Sequence, residues 1–317
     1  MKAPEIWSYL IHLGSNMWND KGQTEPSLGE PGVPRYFEKL VTDEKVWDEV
    51  VRFLPSQGIN TVIIDLGEGV RYESHPELAI EGSWSKEKLR KKLGEMRALG
   101  MEPIPKMNFS ACHDAWLQDY SHRLSTPEYR AVVKDLIDEA CEIFDSPRLF
   151  HLGMDEETAG HQRYFSYAVI RGEAYWWSDF YFMLDCVEKN GARPWIWSDY
   201  YWNHPDIFLR KMPKEVLQSN WYYGNDFLPH EDGRYNRDVQ TYLDLDRFGY
   251  DQVPTSSTWS TKRNTYCTVI FGQKNISEEH LAGFMTAPWL NTRPAMKHCL
   301  MGDAEVFGDA KKLVYGE

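Results

Sequence analysis

The stretch that decides the fold reads Leu149-Phe150-His151-Leu152-Gly153-Met154-Asp155-Glu156-Glu157, an apolar run that ends in three carboxylates. If the run is a β-strand, these acids lie at or just past its carboxyl end. In a parallel α/β barrel, that end of the strands carries the active site. Carboxylates placed close together there can have their pKa values moved apart, so that one keeps its proton while another stays charged. The stretch therefore predicts an acid–base site, and its plainer alternative is a strand that runs into a solvated acidic loop.

Outward from this stretch, apolar strand-like runs alternate with amphipathic helix-like runs, which is typical of a parallel sheet wrapped by helices. The predicted strands are Ile6–Leu13, Thr61–Leu66, Glu102–Asn108, Leu149–Met154, Pro194–Ser198, Val216–Trp221, Asp251–Thr255 and Gly283–Ala287. The predicted helices are Asp43–Gln57, Lys86–Leu99, Thr126–Phe144, Gly172–Lys189, Pro205–Lys211, Val239–Phe248 and Met296–Val314. Three of these helices are followed by Gly58, Gly100 or Gly191, where a left-handed cap before an entering strand is expected. The pattern predicts an α/β fold, the (β/α)8 TIM barrel.

The length of the chain agrees with one such barrel. Its 317 residues exceed the roughly 250 that a barrel of this type needs. No segment has the composition of a linker, so we expect a single domain over residues 1–317. Long loops are predicted at residues 14–36 and 220–238, and on the functional face they would shape a cleft.

Composition narrows the classes of ligand. The net charge of −13 disfavours nucleic acid and anionic membranes, because phosphate binding needs clustered Lys and Arg. No apolar stretch is long enough to span a membrane, and five widely spaced Cys without a CxxC pair predict neither a zinc cluster nor a disulfide framework. We expect no metal and no cofactor. The 13 Trp and 18 Tyr favour aromatic-lined pockets, which suit a carbohydrate substrate. The amino terminus lacks the pattern of an export signal; compartment and oligomeric state are left open.

Acids and aromatic residues follow most of the predicted strands at their carboxyl ends, which in a barrel meet on one rim. The candidate catalytic residues are Asp155 and Glu156. The candidate substrate-binding residues are Glu68, His113, Trp197, Asp199, Trp221, Tyr222, Tyr223 and Trp289. Structural roles compete with some of these assignments: Asp65 can pair with Lys106 in the core, and Glu68 can cap a loop.

The segment Phe150-His151-Leu152-Gly153-Met154-Asp155-Glu156 resembles the strand-four motif His-x-Gly-Gly/Ala-Asp-Glu of glycoside hydrolase family 20, the β-N-acetylhexosaminidases. Weaker similarities in the same order are Glu102–Asn108 with the following His113, Pro194–Asp199, and Val216–Trp221. Together they span roughly residues 55 to 225. The sequence departs from the family at Met154, where a small residue is usual, and at Lys106, where an acid is usual.

The resemblance implies a substrate-assisted retaining mechanism, the exception to the usual scheme of two carboxylates. Glu156 would be the acid and base, and Asp155 would orient the 2-acetamido group whose oxygen is the nucleophile. Tyr222 or Tyr223 would hydrogen-bond that oxygen, and Asp199 would bind ring hydroxyls. The walls of the sugar pocket would be Trp197, Trp221 and Trp289.

Three alternatives stay open on the sequence. In the first, a glycosidase without substrate assistance pairs Glu156 with Asp199 or Glu68 as nucleophile or base. In the second, a metal-dependent sugar isomerase or lyase uses Glu68, Asp155, Asp199 and one of His113 or His151 as ligands. In the third, the barrel binds glycans through the same aromatic residues without catalysis.

Overall fold

The strands of the computed structural model, which describes residues 3–20, 36–162 and 165–316, are all parallel. They are β1 (Ile6–His12), β2 (Thr61–Asp65), β3 (Glu102–Lys106), β4 (Leu149–His151), β5 (Arg193–Trp197), β6 (Leu217–Ser219), β7 (Thr255–Ser256) and β8 (Gly283–Thr286). Their order in the sheet is β6-β5-β4-β3-β2-β1-β8-β7. Backbone hydrogen bonds from Val253 N to Gln218 O at 2.8 Å and from Thr255 N to Asn220 O at 2.9 Å join the two outer strands. The sheet is therefore a nearly closed barrel, which confirms the predicted (β/α)8 architecture.

Helices cover the outside of the barrel. They are α1 (Glu44–Phe53), α2 (Lys86–Ala98), α3 (Pro127–Ile143), α4 (Glu173–Lys189), α5 (Tyr200–Asn203), α6 (Pro205–Lys211), α7 (Arg237–Arg247), α8 (Arg263–Asn275) and α9 (Lys297–Tyr315). Four of them begin at a side chain that accepts a hydrogen bond from a backbone N–H of the first turn. These capping residues are Asp43, Ser85, Thr126 and Asn236. Within the described residues, no helix is long and apolar enough to cross a membrane.

The predicted left-handed helix ends are confirmed at Gly58, Gly100 and Gly191, with φ of 72°, 80° and 78°. A side chain is strained in this conformation, so glycine lets the chain turn from each helix into the next strand.

Several boundaries differ from the prediction. The first helix gives way after Phe53 to a 3-10 turn at Leu54–Gln57, because Pro55 cannot continue the α-helical hydrogen bonds. Strand β7 is only Thr255–Ser256, whereas Asp251–Thr255 was predicted. Of the loop predicted at residues 14–36, residues 21–35 lie outside the described residues.

Helix α8 was not predicted. Its sequence RNTYCTVIFGQKN is rich in β-branched and aromatic residues and contains Gly272, a composition of low helix propensity. Packing against α9 and the barrel overrides that propensity: Val269 is fully buried, and a Cβ added at Gly272 would lie 2.7 Å from Phe284. The glycine is needed for the close approach of helix to strand.

The barrel interior is a separate apolar cluster filled by alternate strand residues. Its members are Ile6, Leu10, Ile63, Ile104, Leu149, Trp195, Trp197, Leu217, Val253, Met285 and Ala287. The predicted pair is confirmed among them, because the Lys106 ammonium donates to the Asp65 carboxylate and both are buried. The five cysteines are free thiols. Because side chains fill the interior, binding is confined to the rim of the barrel.

Candidate active site

The backbone after β4 turns sharply and presents the two acids at the rim. Gly153, Met154 and Glu156 all have positive φ, at 72°, 73° and 55°. The amide oxygen of Asn108 accepts hydrogen bonds from the backbone of Met154, at 3.2 Å, and of Ser110, at 3.1 Å. A Cβ at Gly153 would lie 2.1 Å from that oxygen, so only glycine fits there. Residues outside the favoured backbone region persist where neighbours hold them, and they are common at functional sites.

Asp155 is buried and held from the next strand. The side-chain amide of Asn108 donates to Asp155 Oδ1 at 2.7 Å, and the hydroxyl of Ser110 donates to the Asp155 carbonyl. The other carboxylate oxygen, Oδ2, lies 3.5 Å from His113 Nε2 and lines a cavity. The carboxylate is therefore fixed at one oxygen and available to a ligand at the other.

Glu156 is an acid at the rim whose pKa is raised by its surroundings. Burial raises its pKa to about 8, and the charges of Asp155 and Asp199 act in the same direction. Its backbone N–H donates to Asp199 Oδ2 at 2.8 Å. Burial, followed by the charge of Asp155, raises the pKa of Asp199 to about 7. A carboxyl that keeps its proton at neutral pH can act as a general acid.

Two histidines lie beside Glu156. His113 Nε2 is 3.4 Å from Glu156 Oε2, and His161 Nε2 is 3.5 Å from Glu156 Oε1. Burial lowers the pKa of His113, which favours the neutral form of the ring. Among the described residues, His113, Asp155 and Glu156 each place one ligand atom within 4.8 Å of the others, so these three could hold a metal ion. The larger ligand set considered on the sequence is not assembled among the described residues, because Glu68 and Asp199 do not join this group. Oε1 of Glu68 instead accepts the backbone N–H groups of Ser15 and Asn16.

The acids face an aromatic cavity of about 240 Å³. Its lining residues are Trp18, His113, Asp155, Glu156, Tyr223, Trp259 and Trp289. The indole N–H of Trp289 donates to the hydroxyl oxygen of Tyr223 at 2.9 Å, which leaves the Tyr223 hydroxyl hydrogen for another acceptor. We call this space the sugar pocket, after the ligand that the sequence analysis predicts. It combines flat apolar walls with a few convergent polar groups, which is the usual make-up of a small-molecule site.

Five of the predicted site residues meet at the sugar pocket: His113, Asp155, Glu156, Tyr223 and Trp289. The structure puts the other predicted residues elsewhere. Trp197 is buried behind Trp289, with ring centroids 5.8 Å apart, and Trp221 stacks on Tyr223 at 5.0 Å. Both support the wall from behind and do not line the pocket.

Tyr222 and Glu68 were predicted to bind substrate, but neither side chain lines the sugar pocket. Tyr222 points away from Tyr223 and packs on Phe227 at 5.2 Å, because consecutive side chains in an extended chain face opposite sides. Glu68 is buried under the loop after β1, and burial raises its pKa to about 7. Its position agrees with the alternative role of capping a loop.

Sequence reasoning missed Trp18 and Trp259, which both line the sugar pocket. Trp18 lies in the long loop after β1, where nothing in the sequence distinguishes it from a packing residue. Trp259 follows β7 by three residues. The predicted strand ends at Thr255, one residue before the observed end of β7, so the rule that found the other aromatic residues, an aromatic side chain just past a strand end, could also have found Trp259.

The fold and this rim define a parallel β/α barrel with an adjacent Asp–Glu pair after the fourth strand, and several solved structures are similar to its fold. An inactive mutant of a family 20 exo-β-N-acetylglucosaminidase from Vibrio harveyi superposes with a TM-score of 0.65 at 12% identity over 97% of this chain and 54% of that one. A β-N-acetylhexosaminidase from Bacteroides fragilis gives 0.61 at 14% identity, covering 96% and 66%. A family 20 β-N-acetylhexosaminidase from Streptomyces coelicolor gives 0.63 at 13% identity, covering 97% and 64%.

The present chain thus spans about half of the first of these proteins and about two thirds of the other two. No model of a known protein family matches the sequence. No curated protein matches it either. At these identities the likeness shows the fold, a barrel like that of the family 20 hexosaminidases.

Proposed function

We propose that the protein is a glycoside hydrolase that acts on 2-acetamido sugars by substrate assistance. The observation that carries this proposal is the raised pKa of Glu156, about 8, at the edge of an aromatic pocket that Asp155 also lines. The similarity to the barrels of family 20 enzymes supports the same reaction type.

In the first step, Glu156 gives its proton to the glycosidic oxygen as the bond from that oxygen to the anomeric carbon breaks. The acetamido oxygen of the substrate forms a new bond to the same carbon. In the second step, Glu156 takes a proton from water, which attacks the anomeric carbon and reopens the ring that the acetamido group formed. Glu156 is therefore protonated again at the end of the cycle.

Asp155 and Tyr223 would direct the acetamido group. Oδ2 of Asp155 is available to accept the acetamido N–H, while Asn108 keeps Oδ1 in place. The free hydroxyl hydrogen of Tyr223 can be donated to the acetamido oxygen. A carboxylate beside the positive charge that develops there stabilises the transition state more than the ground state.

The two-carboxylate alternative is less well supported. Asp199 Oδ2 already accepts the backbone N–H of Glu156, and Asp199 lies outside the lining of the sugar pocket. The carboxylate of Glu68 accepts a hydrogen bond from the loop after β1. Neither carboxylate is placed to attack a sugar held against Trp289.

The test is hydrolysis of a panel of aryl glycosides, with and without the 2-acetamido group, by wild type and Glu156→Gln. We expect turnover of acetamido sugars only, reduced by about 10²–10⁴-fold in the variant. Glu188→Gln, which changes an exposed carboxylate on α4, is the matched control. Turnover confined to plain hexosides would show that the acetamido oxygen is not the nucleophile. Turnover that is unchanged in Glu156→Gln would overturn the proposal.

A further inference from the structure

His113, in the segment after β3, is a buried histidine whose ring nitrogens lack ordinary hydrogen bonds to the described residues. The residue is 4% exposed, and none of the described residues hydrogen-bonds its Nδ1. Nε2 faces Glu156 Oε2 at 3.4 Å and Asp155 Oδ2 at 3.5 Å. Both distances exceed the roughly 2.7–3.2 Å of a hydrogen bond from nitrogen to oxygen. A buried polar atom without a partner costs stability, so a ligand that engages Nε2 is favoured.

The separations at His113 match those between the ligands of a tetrahedral zinc ion. Zinc lies about 2.0–2.2 Å from imidazole nitrogen and carboxylate oxygen, which puts two ligands of a tetrahedron about 3.3–3.6 Å apart. The two distances from His113 Nε2, 3.4 Å and 3.5 Å, fall in this range. One ligand atom from each of His113, Asp155 and Glu156 lies within 4.8 Å of the others. Two edges of the site are therefore formed, and the third needs at most a small shift of one carboxylate.

The ligand types and distances favour zinc over the alkaline-earth ions. Mg²⁺ binds in octahedral geometry at about 2.0–2.1 Å, so its neighbouring ligands are about 2.9 Å apart, closer than the groups around His113. Ca²⁺ takes about six to eight oxygen ligands, and an imidazole nitrogen does not belong to that set. Imidazole together with carboxylate oxygen is a usual ligand set of zinc.

The chain holds two of the three ligands so that they face the substrate space. The Asn108 amide fixes Asp155 at Oδ1, which leaves Oδ2 for a metal ion. Asp199 holds the backbone N–H of Glu156, whereas 28% of the Glu156 side chain is exposed and can adjust its position. All three ligands line the sugar pocket, so the fourth position of a tetrahedral ion lies on the side of the substrate.

We propose that His113, Asp155 and Glu156 form a Zn²⁺ site that inhibits hydrolysis. Zinc binds a deprotonated carboxylate, so its binding releases the proton of Glu156 to solvent, and Glu156 then has no proton to give to the glycosidic oxygen. The ion also occupies Asp155 Oδ2, the oxygen that is otherwise available to the acetamido N–H. Zinc is in this role an inhibitor and not a cofactor. The inhibition rests on the proposed hydrolase function, whereas the metal site rests on the geometry of its ligands.

The test of the site is calorimetric titration of ZnCl₂ into protein freed of metal with EDTA, at one pH near neutrality. We expect one zinc ion per chain, with an affinity that His113→Gln and Asp155→Asn each lower by at least about 100-fold. His230→Gln changes an exposed histidine and should bind zinc like the reference protein. Every protein, the reference included, carries Cys299→Ser, because an exposed thiol binds zinc by itself. Equal affinities in the reference protein and in His113→Gln would show adventitious binding and overturn the site.

Inhibition is measured on the acetamido aryl glycoside that the reference protein hydrolyses fastest. We expect Zn²⁺ to raise KM and leave kcat unchanged, because ion and substrate compete for the same groups, and we expect EDTA to restore the rate. MgCl₂ and CaCl₂ at the same concentration should have no effect. In His113→Gln, the zinc concentration that halves kcat/KM should rise by at least about 100-fold.

The two measurements separate the site from the hydrolase function. Zinc that binds through His113 without slowing hydrolysis would overturn the inhibition. A protein that binds zinc through His113 but hydrolyses no glycoside of the panel would overturn the hydrolase function and the inhibition with it, and would support the metal site.

Discussion

Asp199, at the end of β5, accepts a hydrogen bond from the backbone N–H of Glu156, with 2.8 Å between Glu156 N and Asp199 Oδ2. The contact ties the turn after β4 to the neighbouring strand. It also brings a second carboxylate close enough that its charge raises the pKa of Glu156. One residue thus fixes the position of the proposed acid and adjusts its proton affinity.

We expect Asp199→Asn to move the alkaline limb of the pH–rate profile to lower pH by about 0.5–1 unit. The charge of Asp199 raises the pKa of Glu156, so its removal lowers that pKa and Glu156 loses its proton earlier as pH rises. The asparagine oxygen can still accept the Glu156 N–H, which separates the electrostatic effect from loss of position. The measurement is kcat/KM against pH, with Asp185→Asn on α4 as the exposed control. An alkaline limb at the wild-type pH would show that Glu156 is not the titrating acid.

We expect Glu156→Gln to stabilise the protein at alkaline pH. In the unfolded chain Glu156 loses its proton near its ordinary pKa, whereas in the folded state its pKa is about 8. Stability contributed by this group is therefore present at low pH and falls as pH rises from about 4.5 to about 8. The free energy of unfolding of the variant should exceed that of wild type by about 1–2 kcal/mol at pH 8 and by little at pH 4.

Urea unfolding at both pH values measures this difference, and the contributions of titrating groups distant from Glu156 cancel because they are the same in both proteins. Glu188→Gln should show no such dependence on pH. A difference between Glu156→Gln and wild type that is the same at pH 4 and pH 8 would contradict the raised pKa.

We expect Asp155→Asn to reduce kcat/KM for 2-acetamido substrates by about 10²–10³-fold. The asparagine can keep the hydrogen bond from Asn108 but has no negative charge to stabilise the developing cation. Any residual activity on plain hexosides should fall much less. The measurement is the ratio of kcat/KM values on paired aryl glycosides, and equal losses on both would argue against substrate assistance.

We expect Gly153→Ala to destabilise the turn after β4 by about 1–3 kcal/mol and to lower activity further. The φ of 72° is unfavourable for alanine, and the new Cβ would collide with the Asn108 oxygen that holds the turn. Gly94→Ala is the matched control, because Gly94 is inside α2 with no atom within 4 Å of the added Cβ. There we expect a gain of about 0.5–1 kcal/mol in urea unfolding. If Gly153→Ala were as stable as the wild type, the turn would be shown to rearrange around the added Cβ.

We expect Arg171→Met to destabilise the protein by about 3–5 kcal/mol. The side chain is 1% exposed and pairs with Glu157, which is 5% exposed and would be left buried without a partner. Arg123→Met is the surface control: the Arg123–Glu128 pair is roughly half exposed, and its loss should cost about 1 kcal/mol or less. Thermal unfolding measures both, and similar values for the two would contradict the importance of the buried pair.

The part of this molecule that the sequence predicts best is the part governed by local patterns. Short apolar runs between amphipathic runs placed the eight strands, and Gly58, Gly100 and Gly191 marked the helix ends, because these features depend on a few neighbouring residues. Helix α8 escaped prediction because its packing against the barrel outweighs its composition. Elements stabilised mainly by distant contacts leave little trace in their own sequence.

The same division applies to the site. Asp155 and Glu156 were predictable since both follow directly from one strand, and Tyr223 and Trp289 follow from two others. Whether Tyr222 or Tyr223 faces the pocket depends on a shift of a single residue, which the sequence does not determine. Trp18 reaches the pocket from a long loop, and the position of a loop follows from tertiary contacts that no local pattern encodes.

The short strand β7 gives the barrel an uneven resistance to opening. The isolated bridges Gln218–Gln252 and Trp221–Thr255 lie between β6 and β7, whereas a ladder of three residue pairs joins β4 to β5. Local openings follow the least bonded part of a structure. Amide hydrogens along the β6–β7 seam should thus exchange with solvent deuterium sooner than those of β4, so that the rings near the seam can move apart while Glu156 stays where it is.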